Sequence, residues 1–189
     1  RCSTAELIAR CIHFASAVHA DTITADESSM ATGRDHDRTS LILSAPMGLL
    51  IALLLDPTCG LITTAAFAFG GLWLSPDLDT RSNALRRWGI LRFIWWPYRR
   101  VLPHRSFWSH GPLLGTTGRL LLLIAWLSLV SAFFPWTETF VVINMLKNVW
   151  NAQPQRVAAF LIGLEASVWL HLILDGDPLP KEWNRRRKR

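Results

Sequence analysis

Four apolar stretches, each bounded by proline, glycine or aspartate, leave this chain few ways to fold. They run from Leu41 to Leu55, Leu61 to Leu74, Leu113 to Phe134 and Val157 to Leu174. They are rich in Leu and Ala and lack period-two alternation, which predicts helices. Asp56-Pro57, Ser75-Pro76, Gly111-Pro112, Pro135 and Asp177-Pro178 supply the stop and start signals. A helix that crosses a bilayer needs roughly 20 apolar residues, and the first two stretches fall short of that. At 189 residues the chain suits a single core. Half of its residues are hydrophobic, its mean hydropathy is +0.23, and it carries ten tryptophans. The expected class is therefore an all-α, membrane-associated bundle of about four apolar helices.

The basic residues test that arrangement independently. If all four stretches cross a membrane, the N-terminus, the segment between the second and third stretches, and the C-terminal tail share one side. That side holds 17 of the 20 Lys and Arg residues; the other holds only Lys147 and Arg156, and Arg119 falls within the third stretch. Loops rich in Lys and Arg stay cytoplasmic, so the expected location is the inner membrane, with both termini on the cytoplasmic side. The segment from Trp88 to Pro103 interleaves Trp88, Phe93, Trp95, Trp96 and Tyr98 with Arg92, Arg99 and Arg100. It predicts an interfacial connection in the lipid headgroup layer. Rings and arginines also meet in nucleic-acid binders, but beside four apolar segments membrane lipid is the expected partner. Cys2, Cys11 and Cys59 form no Cys-x-x-Cys pair and imply neither a disulfide framework nor a thiolate zinc site.

The chemistry-bearing residues collect at the cytoplasmic ends of these stretches. Pro76-Asp77-Leu78-Asp79 follows Gly70-Gly71, so a sharp exit holds two carboxylates close together. A cation relieves their repulsion. An Asp-rich turn that caps the next helix is the plainer reading of that run alone. His104 and His110 bracket Arg105, Ser106 and Ser109, which offers two imidazoles and a guanidinium suited to an anion. His171 and Asp175 are four apart and share one helix face. His36, between Asp35 and Asp37, precedes the first stretch and is the weakest ligand candidate by its own surroundings. Arg119 and Glu165 interrupt apolar stretches and are expected to bridge the third and fourth helices.

The runs Met30 to Arg38, Phe69 to Asp79, Arg87-Trp88-Gly89 and His104 to Gly111 resemble a family of small bacterial proteins described as uncharacterised metal-binding proteins. That family is similar in turn to inner-membrane proteins classed as metal-dependent hydrolases, which share the Pro-Asp-x-Asp turn, the His-Arg-x-x-x-x-His stretch and the late His-x-x-x-Asp. More distantly it is similar to zinc-dependent phospholipase C and zinc-dependent nucleases. The resemblance implies His36, Asp77, Asp79, His104, His110, His171 and Asp175 as metal positions, and it strengthens His36 in particular. It covers about Met30 to Pro178. The expected organisation is an N-terminal extension over 1–29 with a start at Met30, a metal-binding helical domain over 30–180, and a basic tail over 181–189. A signal peptide ending near Ala20 conflicts with Glu6, Arg10 and the charge bias.

The expected activity is hydrolysis of a phosphoester at the cytoplasmic membrane surface by a divalent metal. Zinc fits a His and Asp ligand set, with manganese or iron as alternatives. Asp79 is the expected proton acceptor, and Arg105 the residue that steadies developing charge. The competing expectations are a membrane protein that binds metal without catalysis, whose site would be closed by protein ligands, and a soluble helical bundle or nucleic-acid binder.

Overall fold

The computed structural model of the chain describes residues 32–103, 106–133 and 141–176. Among them there are eight α-helices, joined in places by 3-10 turns, and no strands. The expected extension before Met30 and the basic tail lie outside the described residues.

Helix α1 (Gly33–Leu54) begins well before the expected Leu41. The cause is local. Asp35 accepts hydrogen bonds from the Thr32 backbone N–H at 2.9 Å and from its hydroxyl at 2.6 Å, which fixes the helix start among polar residues. This lengthens α1 to 22 residues, enough to cross a bilayer, and puts His36 in its first turn. Helix α2 (Pro57–Leu72) starts on Asp56, whose carboxylate accepts from the N–H of Thr58 at 2.7 Å and of Cys59 at 3.0 Å.

Helix α2 packs between α1 and α8 (Pro154–Leu174). Small residues permit the close approach. A Cβ placed on Gly60 would lie 2.7 Å from the Gly48 carbonyl of α1, and one on Gly163 would lie 2.6 Å from the Thr63 carbonyl of α2. Thr63 also donates its hydroxyl to the Ala159 carbonyl at 3.1 Å, a buried cross-helix bond. Such contacts hold helices together where apolar burial drives association little.

Between α2 and α6 (Leu114–Ala132) the chain makes a 3-10 turn over Pro76–Asp79, α3 (Asn83–Arg87), a 3-10 segment over Gly89–Trp95, α4 (Trp96–Val101) and α5 (Phe107–His110). The Trp and Arg-rich connection is thus partly core and partly surface. Trp95 and Tyr98 are buried with Leu74, Leu78, Leu85 and Leu164, whereas Ile90, Phe93, Trp96 and Val101 are exposed.

Helix α7 (Val141–Ala152) joins α6 to α8. Four helical stretches, Gly33–Leu54, Pro57–Asp79, Leu114–Ala132 and Pro154–Leu174, are long and apolar enough to cross a membrane. Among the described residues, only 17% of the most apolar window of α6 is buried.

Candidate metal centre

Four separate segments deliver imidazoles and carboxylates to one end of the bundle. His36 comes from the first turn of α1, and Asp77 and Asp79 from the turn after α2. His110 is the last residue of α5. His171 lies in the final turn of α8, and Asp175 caps that helix. His36, His110 and His171 are all buried.

The spacing between these groups is informative. His171 Nε2 lies 3.6 Å from Asp77 Oδ1 and 3.6 Å from Asp175 Oδ2. His110 Nε2 lies 3.6 Å from the same Asp77 oxygen, and His36 Nε2 lies 3.1 Å from Asp175 Oδ1. Metal bonds of about 2.0–2.2 Å set neighbouring donor atoms about 3.0–3.6 Å apart. These atoms are therefore spaced as the edges of a coordination shell. Two groups of three each bring one such atom per residue within 4.8 Å of one another: His36, His171 and Asp175, and Asp77, His110 and His171.

Among the described residues, the buried His171 Nε2 has no hydrogen-bond partner although it faces two carboxylates. A buried, unsatisfied ring nitrogen is costly unless something fills the gap. A cation between the three groups does so, and the donor set of His and Asp fits a divalent ion. Because one lone pair serves one ion, two ions cannot both take a complete group through His171 Nε2.

Asp79 belongs to neither group. Its Oδ2 lies 3.6 Å from His110 Nδ1, on the opposite side of the ring from Asp77, and its side chain is 0% exposed. Ser109 Oγ also meets His110 Nδ1, at 2.9 Å. Ser109 is thus at hydrogen-bond distance from Nδ1, with the Asp79 carboxylate behind the ring, an arrangement that resembles the outer partners that orient ligand imidazoles. Of the seven expected metal positions, five fall in these two overlapping groups and Asp79 lies behind His110. His104 and the expected charge-steadying Arg105 lie outside the described residues.

Asp175 sits in competing fields. Burial raises its pKa, but the hydrogen bond with His36 and the nearby His171 outweigh it, and the carboxyl is held below its usual range.

Supporting contacts that the sequence did not single out lock the segments in place. Arg87 donates from Nη1 to Asp37 Oδ1 at 2.9 Å and to the Leu72 carbonyl at 3.0 Å, and pairs through Nη2 with Asp37 Oδ2. One guanidinium thereby ties α3 to the first turn of α1, beside His36, and to the end of α2. The signal was present in Asp37 following His36 and in the motif Arg87-Trp88-Gly89, but nothing in the spacing paired them.

Glu165 of α8 accepts from the Leu113 N–H at 2.8 Å and from the Thr116 hydroxyl at 2.8 Å. Arg119 donates to the same hydroxyl at 3.3 Å and to the Ser109 carbonyl at 3.1 Å. The expected Arg119 to Glu165 bridge thus runs through Thr116. It also reaches the residue beside His110. Leu113 itself adopts φ 62°, and the Leu114 N–H reaches the Pro112 carbonyl at 2.7 Å, which makes a strained γ-turn.

A cavity of about 320 Å³ opens beside the donors, with Gly33, His36, Ser75, Asp77, Arg81 and Asn83 in its wall.

Residues 31–187 match a family described as "Uncharacterized metal-binding protein (DUF2227)". The chain belongs to this family. It is also 40% identical over 58 residues to an "Uncharacterized protein" of Aquifex aeolicus (strain VF5), a match covering 30% of this chain and 40% of that protein. The chain therefore matches less than half the length of that relative. No solved structure matches the chain significantly. Family membership and the His and Asp clusters together support a divalent metal.

Proposed function

We propose that this metal-binding family member hydrolyses phosphoesters at the cytoplasmic surface of the inner membrane. The observation that carries the reading is the cavity beside the donor cluster. A metal site used only for structure is enclosed by protein ligands, whereas His36 and Asp77 here also line a polar space of about 320 Å³. The apolar helices support a membrane setting, and the charge bias supports the cytoplasmic side.

In this reading His36, Asp77, His110, His171 and Asp175 hold the ion, with zinc the first choice for such donors. When bound, it polarises a phosphoryl oxygen and lowers the pKa of a water toward neutrality. The protein's own part begins with Asp79, which orients His110 from behind. Asp79 has no exposed side-chain surface, so the proton acceptor is assigned instead to the Asp77 oxygen that does not face the ion, on a side chain that is 31% exposed and lines the cavity. Arg105, two residues from the start of α5, is kept as the residue that steadies charge on the phosphoryl group.

The test combines elemental analysis of the purified protein with hydrolysis of generic phosphomonoesters and phosphodiesters by wild type, Asp77→Ala and His110→Ala. Metal-dependent turnover lost in both variants is the expected result. Turnover unchanged in both removes the mechanism. The second reading, metal binding without catalysis, is favoured by a family description that names binding alone. Metal retained with no turnover on any ester would establish it.

A further inference from the structure

We propose that Arg81 makes the cavity beside the metal centre an anion-binding subsite that grips one small phosphate-like group of the substrate. The inference rests on the metal-centre reading and names the ligand chemistry that the same site would select. The charged residues in the cavity wall are His36, Asp37, Asp77 and Arg81. His36 and Asp77 face the candidate ion. Asp37 is neutralised by the two-pronged contact with Arg87, and the Asn83 amide also turns to it at 3.4 Å. Arg81 is left without an ion pair or hydrogen bond among the described residues, on the wall of a space that already adjoins a cation site.

The position of Arg81 is set by the turn before it. Thr80 bonds back to the Asp77 carbonyl through its N–H at 3.0 Å and its hydroxyl at 3.1 Å, so Arg81 follows Asp77 by one closed turn. A guanidinium presents donors in a fork that matches the oxygens of phosphate or carboxylate.

A second lining element reinforces the sign. It is Gly33, the first residue of the 22-residue α1, and the Thr32 carbonyl there accepts from Asp35 and His36 rather than from the first two N–H groups. The positive end of that helix therefore adjoins the cavity. The approach is narrow, since a Cβ on Gly33 would lie 3.0 Å from Asn83 Nδ2. About 320 Å³ stands at the low end of small-molecule sites. That is room for one small anionic group and not for a polymer strand.

The experiment uses the full chain in detergent, loaded with zinc, and measures inorganic phosphate binding by calorimetry, with metal content determined in parallel. Wild type, Arg81→Ala, Arg81→Lys and Arg92→Ala are compared, the last removing the same charge from the exposed connection. Arg81→Ala is expected to keep its metal and to bind phosphate about tenfold or more weakly. Arg81→Lys should recover part of that loss, and Arg92→Ala should bind like wild type. Equal phosphate affinity in wild type and Arg81→Ala, or an equal loss in Arg92→Ala, overturns the subsite. Wild type that takes up no metal defeats the metal-centre reading instead, and Arg81-dependent phosphate binding by that protein would still support the subsite. Nanodiscs containing phosphatidic acid separate the sources. Displacement of phosphate assigns the subsite to lipid headgroups, and no displacement assigns it to soluble phosphate compounds.

Discussion

Replacing Asp79 by Asn separates a supporting carboxylate from a ligand, and the outcome is set by geometry. Asp79 Oδ2 meets the Nδ1 side of His110 at 3.6 Å, while Asp77 Oδ1 faces Nε2 of both His110 and His171 at 3.6 Å. Outer partners of ligand imidazoles are worth about 10–100-fold in metal affinity. A lost ligand costs more: structural zinc sites of about 10–16 kcal/mol spread over four ligands give about 3 kcal/mol each, or about 150-fold. Asp79→Asn should therefore weaken zinc by about 10–100-fold, and Asp77→Asn by several times that. Competition against a chromophoric chelator in detergent measures both. Cobalt(II) provides a second readout, because its visible bands follow the ligand set. Asp79→Asn should leave those bands where wild type has them, and Asp77→Asn should move them. Equal affinity losses with equally altered cobalt spectra would make Asp79 a ligand and refute its supporting role.

Other expectations follow from the contacts around the centre. The Arg87 to Asp37 pair, with side chains 29% and 19% exposed, lies between surface pairs and buried ones, so Arg87→Ala should cost about 2 kcal/mol, or about 4–8 °C in thermal melting. An unchanged melt would mean that the clamp does not fix the start of α1. The side chain of Leu113 is mostly exposed while its backbone is strained, so Leu113→Gly should be more stable than Leu113→Ala by about 1 kcal/mol in the same assay. For pH, the carboxyl of Asp175 is lower in the folded protein than in the unfolded chain. Its stabilising contribution is complete above the unfolded value of about 3.9 and is lost as pH falls through the lower folded value. Melts of metal-free protein across the acid range should show that loss, and Asp175→Asn should reduce it.

The four-helix pattern was legible because it rests on composition and on residues that break helices, both local properties. The candidate donors were legible for a related reason. Ionisable groups at the ends of Leu61 to Leu74 and Val157 to Leu174 stand out against apolar neighbours, and His171 with Asp175 share a helix face by spacing alone. What the sequence hid was direction. Asp77 and Asp79 are chemically alike, and only the turn over Pro76–Asp79 decides that one faces the donor cluster and the other the back of His110. The pairing of Arg87 with Asp37 spans 50 residues and leaves no periodic trace. The early start of α1 was missed for another reason: the Thr32 and Asp35 cap overrides the polarity of the residues after it.

The apolar helices and the polar centre depend on each other through Glu165. A carboxylate on a candidate membrane-spanning helix is retained only where it finds donors. Here its donors are Leu113 and Thr116, which bracket the start of α6 and follow closely after His110. The bond therefore fixes the segment carrying His110 to α8, the helix whose far turn carries His171. Two candidate donors from distant parts of the chain are thereby referred to one rigid rod. The strained Leu113 is itself the residue whose N–H donates to Glu165 at 2.8 Å. Glu165→Gln keeps the shape but replaces one acceptor oxygen with a donor. It should loosen the His110 segment and lower metal affinity while leaving the His36, His171 and Asp175 group intact, a separation that metal titration of Glu165→Gln beside His36→Ala would reveal. Zinc binding by Glu165→Gln equal to wild type would show that the two ligands are held in register by other contacts.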